Sequence, residues 1–150
     1  MSAASAVPRV TAIGWLATLR ISPGVALSFA VIALVIAEHE HHGRVTAWIT
    51  QADRIALCPI TEGALVRYLI RVGETAATAS QLITTLRQSP RVEFWPDSIS
   101  YTDVELDHVT GHRQVTDAYL ASLAASRQAR LATLDEALAT DLGGAVDLIP

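Results

Sequence analysis

Short apolar runs alternate with longer segments of helical periodicity along most of this chain. The runs are rich in aliphatic and β-branched residues and are bounded by Pro, Gly, Asp or Ser, which is typical of buried strands. An α/β three-layer sandwich, with a mostly parallel central sheet flanked by helices, is the fold that this alternation predicts. The predicted strands are 25–29, 55–57, 92–94, 130–133 and 146–149.

The segments between the strands carry apolar residues at helical spacing. One predicted helix begins with Thr61 as its N-cap and ends at Gly73. The next predicted helix ends before Pro90. Gly143 and Gly144 terminate the last one. The predicted helices are 44–52, 61–72, 75–88, 101–109, 117–126 and 135–142.

The N-terminal part of the chain shows the least pattern. Residues 1–24 are interpreted as an extension of uncertain role, and 25–150 as the domain. Residues 25–37 form an uncharged apolar segment, shorter than the roughly 20 residues that a membrane span needs. It could serve as the core of a secretory signal. A buried strand that runs into a helix is the more economical interpretation, and no membrane association is expected.

Composition narrows the choice of function classes. The chain is 51% hydrophobic with a net charge of −4, so it lacks an overall positive field for nucleic acid. All basic residues are Arg, which suits phosphate recognition but also fits the codon bias of a GC-rich genome. A lone Cys58 excludes an internal disulfide and fits a reducing compartment, so we expect a cytoplasmic protein in which Cys58 is a core thiol.

Three acids share one local pattern. Each acid comes directly after an apolar residue and a Thr, as Ile-Thr-Glu62, Val-Thr-Asp117 and Thr-Leu-Asp135, and opens a predicted helix. In an open α/β sheet such positions gather at the carboxyl ends of the strands, where Mg²⁺ or Mn²⁺ would relieve their mutual repulsion. The alternative is that each acid only caps its helix, because the helix dipole favours acids there and 133–136 reads as a capping box.

Other kinds of site have less support. The cluster of His39, His41 and His42 matches no standard zinc spacing and is interpreted as a solvated turn. No nucleophile-elbow signature surrounds any Ser or Cys58, and no Gly-rich loop follows the first strand. The sequence therefore favours neither a Ser or Cys hydrolase nor a dinucleotide-binding domain.

From Cys58 to Ile149 the chain resembles the PIN-domain ribonucleases, specifically the VapC-type toxins of bacterial toxin–antitoxin pairs. The motifs that carry the resemblance are CPITEGALVRYL, RVEFWPD, TGHRQVTDAYLASLA and RLATLDEAL. It implies a PIN-like sheet flanked by helices, and usually four acids that bind Mg²⁺. It also implies cleavage of structured RNA, silencing by a VapB-type antitoxin, and a homodimer.

The resemblance assigns the second, third and fourth family acids to Glu62, Asp117 and Asp135. Its first acid is missing, because Ala30 stands at that position and Ile32 stands where Asn or Ser is usual. One fewer anionic ligand weakens Mg²⁺ binding, so we expect weakened nuclease activity. The alternative is a catalytically degenerate PIN-fold protein that only binds an antitoxin or itself.

Three arginines flank the predicted site. Arg67 and Arg71 lie one turn apart on the helix of Glu62, and Arg113 precedes Asp117. They are candidates for contacts with RNA phosphates, with solvated helix arginines as the alternative.

Overall fold

The computed structural model describes residues 25–27 and 30–150. Residues 1–24, together with Ser28 and Phe29 of the first predicted strand, lie outside the described residues. Five short strands form one sheet in the order β3-β2-β1-β4-β5, and every pairing in it is parallel. The strands are β1 (Val25–Leu27), β2 (Ile55–Leu57), β3 (Val92–Phe94), β4 (Arg130–Thr133) and β5 (Val146–Leu148).

Helices connect these strands. Because parallel neighbours need long crossovers, every connection contains at least one helix or helical turn. Two 3-10 turns, Tyr101–Asp103 and Gly143–Ala145, complete the secondary structure of the described part. The helices are α1 (Ala30–Val35), α2 (His42–Ile49), α3 (Pro59–Arg71), α4 (Ala76–Gln88), α5 (Gln114–Ser126) and α6 (Glu136–Leu142).

Hydrophobic side chains cover both faces of the sheet, in two separate clusters. Ile55 and Leu57 of β2 belong to the cluster that contains the buried faces of α1 to α4. Ala56, which lies between them, belongs to the second cluster with α5 and Leu138 of α6. Successive strand residues point to opposite faces, so this alternation confirms the predicted three-layer α/β sandwich.

The three strands β2, β3 and β4 have the bounds that the sequence predicted. The predicted ends of α3 at Gly73 and of α4 before Pro90 are also confirmed. Gly73 has φ +100°, a left-handed conformation that favours glycine.

Several details of the predicted helices are wrong. The N-cap of α3 is Cys58, because Pro59 fits the first helical position, and Thr61 lies at the third. The segment 101–109 forms only a 3-10 turn, since Ser100 and Asp103 close a local capping box that ends after one turn. The last helix is capped by Asp135 alone, whose side chain accepts from the Leu138 N–H; Thr133 instead accepts from the Asp135 N–H.

The helix α5 begins three residues before the predicted start. Asp117 therefore lies inside its first turn, whereas the prediction made it the first helical residue. Of the helices within 30–150, none has the length and apolar character needed to cross a membrane.

Candidate active site

A cavity of about 350 Å³ opens at the carboxyl end of the sheet. Asp135 reaches it as the N-cap of α6, two residues after β4 ends at Thr133. Asp117 reaches it from the first turn of α5, and Ala30 from the start of α1, three residues after β1. We call this the acid cavity; its wall also contains Ile32, His39, Tyr68, Arg71, Thr133 and Leu134.

Asp117 and Asp135 interact electrostatically in this cavity. Burial raises the pKa of Asp117, and the negative charge of Asp135 raises it further. One oxygen of Asp135, Oδ1, accepts the Leu138 N–H at 3.0 Å. Two neighbouring carboxylates whose charges repel each other form the kind of oxygen donor set that a hard divalent cation stabilises.

Glu62 lies in the first turn of α3, which is fixed at the end of β2 by a capping box. Thr61 Oγ1 accepts the Cys58 N–H at 3.0 Å, and both residues are buried. Burial raises the pKa of Glu62, and the positive charge of Arg87 partly lowers it. Its Oε1 is buried without a hydrogen-bond partner in the part of the chain that is described, an unusual state for a carboxylate oxygen.

The structure thus brings Asp117 and Asp135 together, whereas Glu62 does not line the acid cavity. Among residues 30–150 no three His, Cys, Asp or Glu side chains are arranged to hold a metal ion. The chemical type of the donors still suits a divalent cation, because two carboxylates share the cavity. A third carboxylate oxygen, the unpartnered Glu62 Oε1, lies at the end of a nearby strand. The convergence of all three acids stays a prediction.

The arginines occupy three different places. Arg71 lines the acid cavity, and its guanidinium carbon lies 5.2 Å from the ring centre of Tyr68. Arg67 lines a second cavity of about 380 Å³ that shares Ile32, Tyr68 and Arg71 with the first, so the two cavities adjoin. Arg113 is exposed at the N-cap of α5 and lines neither cavity.

Comparison with known proteins identifies the family. The family model of the PIN domain matches residues 29–140, more than half of the chain. The chain belongs to the PIN domain family. It is 50% identical over 121 residues to Ribonuclease VapC29 of Mycobacterium tuberculosis (strain ATCC 25618 / H37Rv), covering 80% of this chain and 91% of that protein.

Two further relatives in the same strain are more distant. Ribonuclease VapC38 is 34% identical over 118 residues, covering 74% of this chain and 84% of its own length. Ribonuclease VapC39 is 35% identical over 119 residues, with coverage of 73% and 86%. Each relative is matched over most of its length, so the similarity concerns the whole PIN domain and is not limited to one motif.

Two side chains of this PIN domain that the sequence did not single out for the site line the acid cavity. His39 lies in the histidine turn, which was interpreted as solvated, yet it is half-buried in the cavity wall. Burial lowers the pKa of His39, and the neighbouring His41 lowers it further. Tyr68 lines both of the adjoining cavities. Tyr68 could have been inferred from the sequence, because it lies three residues before Arg71 and therefore on the same side of α3. The position of His39 in the cavity wall could not, because it depends on how the histidine turn folds back.

A larger cavity of about 470 Å³ lies between α5 and α6, and its wall includes Glu105, His108 and Asp141. None of the predicted site residues lines it, although Ala118 next to Asp117 does. The acid cavity is therefore the better candidate for chemistry, because the paired carboxylates are there.

Proposed function

We propose that this PIN-domain protein is a toxin-type endoribonuclease that cleaves RNA with the help of a divalent cation, Mg²⁺ or Mn²⁺. The observation that carries the proposal is the pairing of Asp117 and Asp135 in one cavity at the carboxyl end of the sheet. The relatives named as VapC ribonucleases, one of them 50% identical, support RNA as the substrate class.

Asp117 and Asp135 would hold the cation, with Glu62 supplying a further oxygen from the end of β2. Such a cation, when bound, activates water and offsets charge on the phosphate. Asp135 keeps Oδ1 on the Leu138 N–H, which fixes the orientation of the carboxylate and leaves its other oxygen for the ion. Arg71 and Arg67 line the two adjoining cavities and would contact RNA phosphates there, with Arg113 beside α5 as a third contact.

The biological setting follows from the same relatives. The VapC names support a VapB-type antitoxin as the partner that silences the enzyme, acting in the cytoplasm where the RNA is. A homodimer of this chain is part of the proposal. We place the catalytic domain in residues 25–150 and treat 1–24 as an extension.

A catalytically degenerate protein that only binds its antitoxin or itself is the second candidate. The observation that favours it is Ala30, which is buried in the wall of the acid cavity where the resemblance places the first acid. Within the described part of the chain, the carboxylates that line this cavity are Asp117 and Asp135 alone. A site short of one ligand would hold Mg²⁺ weakly and cleave RNA slowly.

Cleavage of a labelled structured RNA in Mg²⁺, in Mn²⁺ and in EDTA tests the proposal. We expect cleavage that EDTA abolishes, and that falls at least about 100-fold in Asp135→Asn, since asparagine keeps the cap on α6 but loses the charge. Asp141→Asn is the matched control, because it removes an exposed acid from the same helix.

The control variant should cleave like the unmodified protein. Cleavage that survives in EDTA, or that is equally strong in Asp135→Asn, contradicts the metal-dependent proposal. The absence of any cleavage together with tight binding of an antitoxin would select the degenerate alternative.

A further inference from the structure

Two arginines stack on two consecutive aromatic residues where β3 ends. The Arg87 guanidinium carbon lies 4.3 Å from the ring centre of Phe94, the last residue of the strand. The Arg127 guanidinium carbon lies 5.3 Å from the ring centre of Trp95. Trp95 is 5% exposed and belongs to the core, but Phe94 is 36% exposed. The Phe94–Arg87 pair is thus a ring and a planar cation held together at the surface.

The position of this pair relates it to the acid cavity. All strand pairings are parallel, so the carboxyl ends of β3, β1 and β4 lie along one edge of the sheet. Neighbouring strands are about 4.8 Å apart, which puts β3 roughly 10–15 Å from β1 and β4. Arg87 is also the residue whose charge acts on Glu62. The pair therefore lies at the β3 side of the edge that carries the acids.

The chemistry of the pair suits an unpaired nucleobase. Aromatic rings and guanidinium planes are the two side-chain surfaces on which bases of single-stranded RNA stack, and the positive charge attracts the adjacent phosphate. The fold itself does not explain why the last residue of this edge strand is aromatic. The other edge strand, β5, ends in Leu148, which is similarly exposed and is not aromatic.

We propose that the Phe94–Arg87 pair is a stacking site for an unpaired base of the RNA, a few nucleotides away from the phosphate that reaches Asp117 and Asp135. This inference rests on the proposed ribonuclease function and adds a determinant of RNA recognition to it. The stacking site selects single-stranded or looped RNA over a regular duplex, because bases in a duplex are already stacked on each other.

Binding of a short fluorescein-labelled single-stranded RNA of mixed sequence, measured by fluorescence anisotropy in EDTA, tests the inference without cleavage. We expect Phe94→Ala to weaken binding roughly 5- to 150-fold, the usual effect of losing one base–aromatic stack. Phe94→Leu, which keeps apolar bulk for folding, should weaken binding similarly, and Phe94→Tyr should restore it. Leu148→Ala is the matched control at the other edge strand and should bind like the unmodified protein.

Duplex RNA of the same sequence should bind more weakly than the single strand and be insensitive to Phe94→Ala. Equal binding of the single strand by Phe94→Leu, Leu148→Ala and the unmodified protein would overturn the stacking site while leaving the ribonuclease proposal in place. If the unmodified protein neither binds nor cleaves RNA, the proposed function itself fails. Far-UV circular dichroism of each variant separates either result from loss of the fold.

Discussion

Ala30→Asp supplies the carboxylate that the family resemblance expects at the start of α1. Ala30 is 2% exposed and lines the acid cavity with Asp117 and Asp135. The new side chain therefore adds a third negative charge to a place where burial and a neighbouring carboxylate already raise the pKa of Asp117. Without a cation this substitution should destabilise the fold, and with a cation it should complete the site.

The two effects have comparable sizes. A buried polar group without a partner costs about 1–3 kcal/mol, and a charged one costs more. For a chain of this length that lowers Tm by roughly 2–4 °C per kcal/mol. A cation present at about 100 times its Kd stabilises the fold by about 2.7 kcal/mol, so Mn²⁺ should offset most of the loss.

Thermal unfolding in EDTA and in Mn²⁺, combined with RNA cleavage, measures both effects. We expect Ala30→Asp to have a lower Tm than the unmodified protein in EDTA, a larger rise in Tm on adding Mn²⁺, and at least about 10-fold faster cleavage. Ala137→Asp is the control: it places the same residue on an exposed position of α6 outside the cavity.

The control should change neither the Mn²⁺-dependent rise in Tm nor the cleavage rate. If the unmodified protein cleaves as fast as Ala30→Asp and shows an equal rise in Tm, the missing carboxylate does not limit the site.

Three further substitutions test separate parts of the structure. Asp117→Asn should abolish cleavage but raise Tm at neutral pH, because the raised pKa of Asp117 means that its negative charge destabilises the folded state. This gain in Tm should shrink as the pH falls through the pKa of Asp117, which a series of Tm measurements at different pH values will show. Thr61→Val leaves the buried Cys58 N–H without its acceptor and should cost about 1–3 kcal/mol in urea unfolding. Gly73→Ala should cost about 1 kcal/mol in the same assay because of φ +100°, whereas Gly144→Ala, at an unstrained position with open space, should be neutral.

The sequence predicted the sheet better than the helix starts. The runs IAL and VEF are short, and a Pro follows each of them after one residue; RLAT is followed by Leu134 and Asp135, so these limits are local properties. The start of α3 was misassigned because Cys58 is an uncommon N-cap, and its capping box with Thr61 became clear only from the contacts. Val104 is the one buried residue of the segment 101–109, too few to stabilise a longer helix, so the local capping box holds just one turn.

The candidate site could be predicted from the sequence only in part. Asp117 and Asp135 were predicted together because parallel strands bring successive strand–helix junctions to one edge, a rule of topology. Side-chain direction is not fixed by that rule, and this is why Glu62 lies near Arg87 and outside the acid cavity. The Phe94–Arg87 stack joins the end of β3 to the end of α4, and no sequence motif predicts this contact.

Calorimetric titration of Mn²⁺ into the full chain tests most directly whether Asp117 and Asp135 hold a divalent cation. We predict saturable binding at one site, which is lost or at least about 10-fold weaker in Asp135→Asn and unchanged in Asp141→Asn. Binding that is absent from the unmodified protein, or that is the same in Asp135→Asn, would contradict this prediction.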